Sequence, residues 1–254
     1  MMNVVKVKDL IIGEGIPKVC LPLIGGTREE ILEETKNLLN VKLDLIEWRI
    51  DYYEDVENKI KVKNVLFEIR EILGNIPLLV TFRSKNEGGE REISTKYYME
   101  LNKEICLTGK VDLIDVELFI GDEIVNEIVE FAHNYNVKVI ISNHDFNKTP
   151  SKEEIIKRLC KMQELNGDLP KIAVMPNDTS DVLTLLCATN EMVNNYASTP
   201  IITMSMSGIG AVSRISGEIF GSSLTFGSRK IASAPGQIEV EELNKVLQLL
   251  HKAK

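Results

Sequence analysis

Read with a period of two, five apolar stretches of this chain carry polar side chains on a face that should be apolar. Leu43, Leu45, Glu47 and Arg49 fall in phase, as do Leu79, Thr81 and Arg83, then Leu113, Asp115 and Glu117, then Ile140, Ser142 and His144, and last Lys171, Ala173 and Met175. If these phases face one interior, it holds two arginines, a lysine, a histidine and three carboxylates. Burying such groups is costly unless they are paired or put to chemical use. The chemistry they suit is that of a carbonyl compound: a lysine amine forms an imine, a histidine moves protons, and arginines hold an anionic substrate. A lysine of pKa ~10.4 is neutral in only one part in ~2,500 at pH 7, so imine formation needs burial or nearby positive charge. Arg49 and Arg83 act in that direction, Asp115 and Glu117 against it, and the sequence leaves the net sign open. Ala173, one in-phase step beyond Lys171, leaves room for a long side chain to rise.

The same residues have plainer readings. Glu47, Arg49 and Arg83 also suit a structural ion network. His144, between Asn143 and Asp145, suits a strand-end cap, and Lys171 at a strand opening suits a solvated lysine at the base of a sheet. Met175, Met204, Met206 and Phe226 read as core, and His133 and His251, in helical stretches, as structural or exposed. Other chemistries fit worse. Three scattered histidines with no H-E-x-x-H or paired-cysteine pattern offer no metal site, and no G-x-S-x-G elbow offers a nucleophilic serine.

Composition narrows the partners. With 30 basic and 38 acidic side chains the net charge is −8, which repels phosphate backbones and anionic lipid, so neither nucleic acid nor membrane is expected. With 44% apolar and 27% charged residues the chain is an ordinary globular one. No apolar run approaches the ~18 residues of a membrane span, and the first residues lack a signal-peptide core, so a cytoplasmic protein is expected. Cys20, Cys106, Cys160 and Cys187 are widely spaced and read as buried free thiols.

Something must hold the in-phase residues together. Strand signals open near Lys18, Leu43, Pro77, Asp112, Lys138, Lys171, Pro200 and Leu224, with helical patterns such as Thr27–Leu39, Ser94–Thr108, Ser151–Leu165, Asp178–Tyr196 and Glu239–His251 between them. Ser151 followed by Glu154 fits a capping box. The strand openings recur every ~29 residues, the length of a βαβ unit. Eight such units make an α/β protein, a (β/α)8 TIM barrel, in one domain over residues 1–254. A doubly wound open sheet is the alternative, but no G-x-G-x-x-G turn follows the first strand. The runs Val4–Val7 and Leu10–Ile12 form a short N-terminal hairpin expected to lie across the bottom of the barrel.

Against that frame, six segments carry a specific likeness: LDLIEWRID (43–51), TFRSKNEGGE (81–90), SNHDFNKTP (142–150), PKIAVMPNDTSDVLTLL (170–186), ITMSMSGIGAVSR (202–214) and ASAPGQ (232–237). In this order they closely resemble type I 3-dehydroquinate dehydratases, Schiff-base lyases of the shikimate pathway, over nearly the whole chain. The resemblance implies that Lys171 forms an imine with the C3 ketone of 3-dehydroquinate, that His144 is the general acid and base, and that Glu87 orients and tunes His144. It implies that Arg214 holds the substrate carboxylate, that Glu47, Arg49 and Arg83 bind ring hydroxyls, and that Ser233 and Gln237 belong to a loop closing over substrate. No metal or organic cofactor is expected, and the partners expected are 3-dehydroquinate and a second copy of the chain in a homodimer. Two positions depart from the pattern: Pro22 stands where many relatives carry serine, and Ser207-Gly208-Ile209-Gly210 lacks a lysine that some carry. A Schiff-base aldolase acting on a small hydroxy-keto substrate is the alternative enzyme, with Gly208, Gly210 and Gly221 available for a phosphate. A barrel that merely binds a small acid would need no reactive amine.

Overall fold

The computed structural model describes residues 3–229 and 233–254. A hairpin opens the chain, β1 (Val5–Val7) antiparallel to β2 (Leu10–Ile12), with Val5 opposite Ile12 and Lys8 at φ 52° in the turn. Barrel strands and helices then alternate: β3 (Lys18–Leu23), α1 (Arg28–Leu38), β4 (Leu45–Arg49), α2 (Lys59–Leu73), β5 (Leu78–Thr81), α3 (Thr95–Leu107), β6 (Leu113–Glu117), α4 (Asp122–Asn134), β7 (Lys138–Asp145) and α5 (Lys152–Glu164). They continue as β8 (Leu169–Val174), α6 (Thr179–Asn195), β9 (Ile202–Ser205), the short α7 (Ala211–Ile215) and α8 (Gly217–Phe220), β10 (Leu224–Ser228), β11 (Ile238–Glu239) and α9 (Val240–Ala253).

Strands β3 to β9 pair in chain order and in parallel, β10 returns to pair with β3, and β11 extends β10 at Gly227 and Ser228. Between β9 and β10 the ring is completed by the parallel bridge Ile201–Ser222, where the Ser223 N–H donates to the Ile201 carbonyl at 2.8 Å. This is the (β/α)8 TIM barrel that the strand spacing implied. The period-two reading holds in detail. Outward residues such as Ile46, Trp48, Val80, Ile114, Val116, Ile141 and Ile172 form the layer beneath the helices. Cys20, Leu45, Leu79, Leu113, Ile140, Leu169, Ile202 and Leu224 fill the inside, where Val5, Val7 and Ile12 of the hairpin join them. The hairpin thus seals the bottom, with Lys8 reaching Asp112 at 3.3 Å.

Several local expectations change. Leu169, not Lys171, opens β8, because its side chain belongs to the apolar floor, so Lys171 sits inside the strand and is not a solvated basal lysine. Ser151 does cap α5, accepting from the Glu154 N–H at 3.3 Å, but the Glu154 side chain takes Arg158 at 2.8 Å instead of closing the box. The reciprocal capping box is made by Thr27 and Glu30 at α1. Cys20 and Cys106 are buried as expected, whereas Cys160 is half-buried and Cys187 exposed on the outer helices. His133 and His251 lie on helices and pair with Asp168 and Glu218.

An aspartate at the foot of three alternate barrel strands, β4, β6 and β8, locks the register. The Val19 N–H donates to Asp44 Oδ2 at 2.7 Å, Leu78 N–H to Asp112 Oδ2 at 2.8 Å, and Val139 N–H to Asp168 Oδ2 at 2.8 Å. Each aspartate returns its own N–H to the carbonyl of the same residue, so the two strands are clamped at two points. Asp112 also holds Arg70, which donates from Nε to the Lys110 carbonyl. Because Asp112→Ala leaves Arg70 and the Leu78 N–H short of an acceptor, we expect it to lower unfolding free energy by about 2–4 kcal/mol. A urea titration followed by far-UV circular dichroism checks this, and an unchanged midpoint would show the clamp to be dispensable.

Candidate active site

One in-phase step above the apolar floor the interior becomes polar. Glu47, Thr81, Asp115, Ser142 and Lys171 follow Leu45, Leu79, Leu113, Ile140 and Leu169, and Arg49, Arg83, Glu117 and His144 come next. All nine are buried or nearly so. Register makes their contacts. Ser142 lies beside Lys171 and Glu117 beside Ser142, while the stagger of the barrel puts Asp115 opposite Ile140, so that the rising Lys171 side chain comes level with Asp115.

Arg83 and Asp115 are the hub. Arg83 Nη2 donates to Asp115 Oδ1 at 2.6 Å, and Nη1 donates to Glu117 at 2.9 Å, Ser142 Oγ at 3.0 Å and Glu87 at 3.4 Å. Ser142 Oγ donates to Asp115 Oδ1 at 2.6 Å, and Lys171 Nζ to Asp115 Oδ2 at 3.1 Å. Burial pushes the Asp115 carboxyl up, but Arg83, Lys171 and Ser142 outweigh it and hold the pKa at about 2. Glu47, which accepts from Thr81 Oγ1 at 2.8 Å, lies 3.8 Å from Lys171 Nζ, and the Phe226 ring centre lies 4.5 Å away. The lysine is 3% exposed and faces Ala173, which leaves the space above it open.

His144 stands at the top of β7 with Glu87 behind it. Glu87 Oε2 accepts from the His144 backbone N–H at 2.9 Å and lies 3.0 Å from Nδ1, while Oε1 accepts from Asn143 Nδ2 at 3.2 Å. Burial, then the charges of Arg83, Lys171 and Arg49, push the imidazolium pKa well below its usual range, so the ring is neutral at pH 7. Burial and the Glu117 carboxylate push Glu87 up to about 7 against the pull of Arg83 and its donors. With Glu87 ionised, Nδ1 carries the ring proton and Nε2 is the free base. Glu87 reaches this place on a 3-10 turn, Lys85–Glu87, ended by Gly88 at φ 82°. A side chain at Gly88 would strike the Phe146 ring at 2.3 Å, so glycine is required for the turn to lie against β7.

Arg214, on α7, is 1% exposed and meets no carboxylate among the described residues. Nη2 donates to the Pro235 carbonyl at 3.0 Å, Nη1 lies 3.6 Å from the Met204 sulfur, and Nε has no partner among the described residues. Burial alone lowers its pKa to about 10, which leaves it charged at pH 7. The segment 233–237 lies over it. Gln237 Oε1 accepts from the Ser233 N–H at 2.8 Å and Gln237 Nε2 donates to Ser233 Oγ at 3.1 Å. Gly236, at φ 76°, lies so close to the Ser207 carbonyl that a Cβ would approach it to 2.1 Å. Ala232 of the ASAPGQ segment is outside the described residues.

Glu47, Arg49, Arg83, Glu87, His144, Lys171, Arg214, Ser233 and Gln237 therefore surround one cavity of about 490 Å³, including its mouth. Met204, Met206 and Phe226, read as core, are buried and also line this cavity, because a small pocket at the top of a packed barrel shares its walls with the core. Met175 only packs against the inner cluster. Pro22 is buried in register with Glu47 and is not among the lining residues. Sequence reasoning passed over Asp51 and Phe146. Asp51 grips Arg49 with two bonds of 2.8 Å and accepts the N–H groups of Arg83 and Glu90; Phe146 lines the cavity. Both were within reach of the in-phase rule, since Asp51 continues Leu45-Glu47-Arg49 and Phe146 continues Ser142-His144.

A family model described as type I 3-dehydroquinase matches residues 19–254. A 3-dehydroquinate dehydratase of Clostridioides difficile is 63% identical over 253 residues, covering 100% of this chain and 99% of the relative. One from Listeria innocua is 56% identical over 99% of both chains. Among solved structures, a type I 3-dehydroquinate dehydratase from Clostridium difficile with covalently modified comenic acid superposes with a TM-score of 0.97 at 62% identity, covering 100% of this chain and 99% of that one. The enzyme of Geobacillus kaustophilus superposes at 0.96 with 34% identity, covering 98% and 97%. A barrel with a lysine, a histidine and an unpaired arginine around one cavity is open to several carbonyl reactions, the aldolase included, but similarity of this extent decides among them: the chain belongs to the type I 3-dehydroquinase family.

Proposed function

We propose that the chain dehydrates 3-dehydroquinate to 3-dehydroshikimate through a Schiff base on Lys171, the reaction of the shikimate pathway enzymes it resembles. The observation that carries this reading is one buried amine, Lys171, facing the same cavity as a neutral histidine and an arginine without a carboxylate. Lys171 Nζ adds to the C3 carbonyl, and loss of water gives a protonated imine. That iminium draws in the electrons of the C2–H bond as His144 Nε2 takes the proton. The enamine returns those electrons as the C1 hydroxyl leaves as water with a proton from His144, and hydrolysis of the imine frees product and lysine. The barrel needs no metal or organic cofactor for this, since the iminium is itself the electron sink.

Arg214 is the residue we assign to the substrate carboxylate, because its guanidinium is buried, charged and short of an anion. Glu47 is placed to meet a ring hydroxyl. Arg49 and Arg83, assigned to the same task, are already gripped by Asp51 and by the Asp115 hub, so their share is mainly to oppose a proton on His144. Ser233 and Gln237 cover the substrate. A single domain over 1–254, a homodimer and a cytoplasmic location belong to the same reading; among the described residues no helix is long and apolar enough to cross a membrane.

Borohydride reduction in the presence of 3-dehydroquinate should inactivate the protein and add ligand mass at Lys171, read by peptide mapping. Label elsewhere with Lys171 untouched would sink the mechanism, and Lys171→Ala should abolish turnover. His144→Ala should lower kcat by ~10²–10⁴, the range for general acid–base catalysis. Near-normal turnover in that variant would move the proton transfer to another group. A third expectation concerns pH. A proton added to the Glu87–His144 pair removes the carboxylate that supports His144 as a base, so kcat/KM should fall as pH drops through about 7. Glu87→Gln removes the raised carboxyl and leaves the depressed imidazole, so the acidic limb should move to lower pH with a lower plateau; an unmoved limb would assign it elsewhere.

A further inference from the structure

We propose that Arg158, outside the cavity on α5, is a positioning residue that fixes the Asn143 amide as a donor to Glu87 and so keeps Glu87 ionised behind His144. The inference rests on the reading of His144 as the base. Asn143 lies between the inward residues Ser142 and His144 and therefore points the other way, toward α5. It is 3% exposed, and its two ends have different partners. Arg158 Nη1 donates to Oδ1 at 2.8 Å, and Nδ2 donates to Glu87 Oε1 at 3.2 Å. A guanidinium has no acceptor, so while Arg158 is present only Oδ1 can face it and only the NH2 group can face Glu87.

Arg158 is itself held from three sides. Its Nε donates to Glu154 Oε1 one turn earlier at 2.8 Å, its guanidinium lies 5.3 Å from the centre of the Phe119 ring, and Nη1 lies 4.0 Å from Asp145. Without Arg158 the amide is free to turn over. Oδ1 would then meet a carboxylate oxygen, an arrangement relieved by a proton on Glu87. The other groups facing Glu87 cannot substitute for a fixed donor. Arg83, after β5, is 3.4 Å away but shared with Asp115, Glu117 and Ser142; Glu117 on β6 opposes ionisation; and His144 on β7, itself faced by Arg49, Arg83 and Lys171, is neutral. Loss of the amide donor therefore raises the pH at which the pair takes up its proton.

The test compares Arg158→Met, Asn143→Leu and the double variant by the pH dependence of kcat/KM for 3-dehydroquinate, with thermal unfolding to establish that each is folded and Asn143→Ala in reserve. Arg158→Met should move the acidic limb up by about one pH unit, so that turnover is about tenfold slower at pH 6 and nearly normal at pH 9. KM at pH 9 should stay within about twofold, since Arg158 touches no substrate. In the Asn143→Leu background the same substitution should add no shift. A limb that stays put in Arg158→Met, or a shift that persists without the Asn143 amide, would overturn the proposal; the latter would mean that Arg158 acts by its charge alone. Imidazole 15N shifts of His144, whose Nδ1 senses whether Glu87 is a carboxylate or an acid, give a readout independent of turnover, with that transition expected at higher pH in Arg158→Met. Absence of dehydration by the unsubstituted protein would refute the reading of function, while the 15N titration would still decide the role of Arg158.

Discussion

The two oxygens of Asp115 hold the site together. One takes Arg83 and Ser142, the other takes Lys171. Moving charges of this kind out of water costs several kcal/mol each, and only close, fully hydrogen-bonded pairing offsets that cost. Without Asp115, Arg83 would lose its closest anion and Lys171 its nearest hydrogen-bond partner, leaving Glu117 and Glu47 as the carboxylates nearest to them.

That arrangement is possible because the lower barrel is apolar and closed. A ring of leucine and isoleucine side chains, sealed by the hairpin, keeps water from reaching the hub from beneath, and the three aspartate clamps at the strand feet hold the register on which every interior contact depends. A slip of one residue would turn each polar side chain into the helix layer. The apolar floor and the polar roof are thus one structure, since the same alternation that packs Leu45 below places Glu47 and Arg49 above.

Charge is distributed unevenly over the roof. Arg83 and Arg49 are bound to carboxylates of the protein, whereas among the described residues Arg214 has a carbonyl and a sulfur as partners and an unpartnered Nε. An anion entering the cavity therefore finds one guanidinium with bonding capacity to spare. Opposite it, the neutral His144 is backed by a carboxyl whose ionisation is set by donors from two directions. The lysine, the histidine and Arg214 come from β8, β7 and α7, and none of them is positioned by its own element alone.

Much of this was legible in the chain. The period-two placement of Glu47, Arg83, Asp115, His144 and Lys171 among aliphatic residues marked one interior face, because alternation in a strand is a local property of the backbone. The ~29-residue recurrence gave the barrel for the same reason. Had the rule been carried one step further along two strands, Asp51 and Phe146 would have been found as well. What the sequence could not supply is anything that depends on the stagger between strands or on distance through space. It did not say that Lys171 would sit inside β8 above Leu169, that Asp115 would reach it across β7, or that Arg83 would be consumed by four partners and Arg214 left open. The link from Arg158 through Asn143 to Glu87 joins three separate segments. It exists only once β7, α5 and the turn after β5 are packed together, because a hydrogen bond between groups distant in the chain is decided by tertiary geometry.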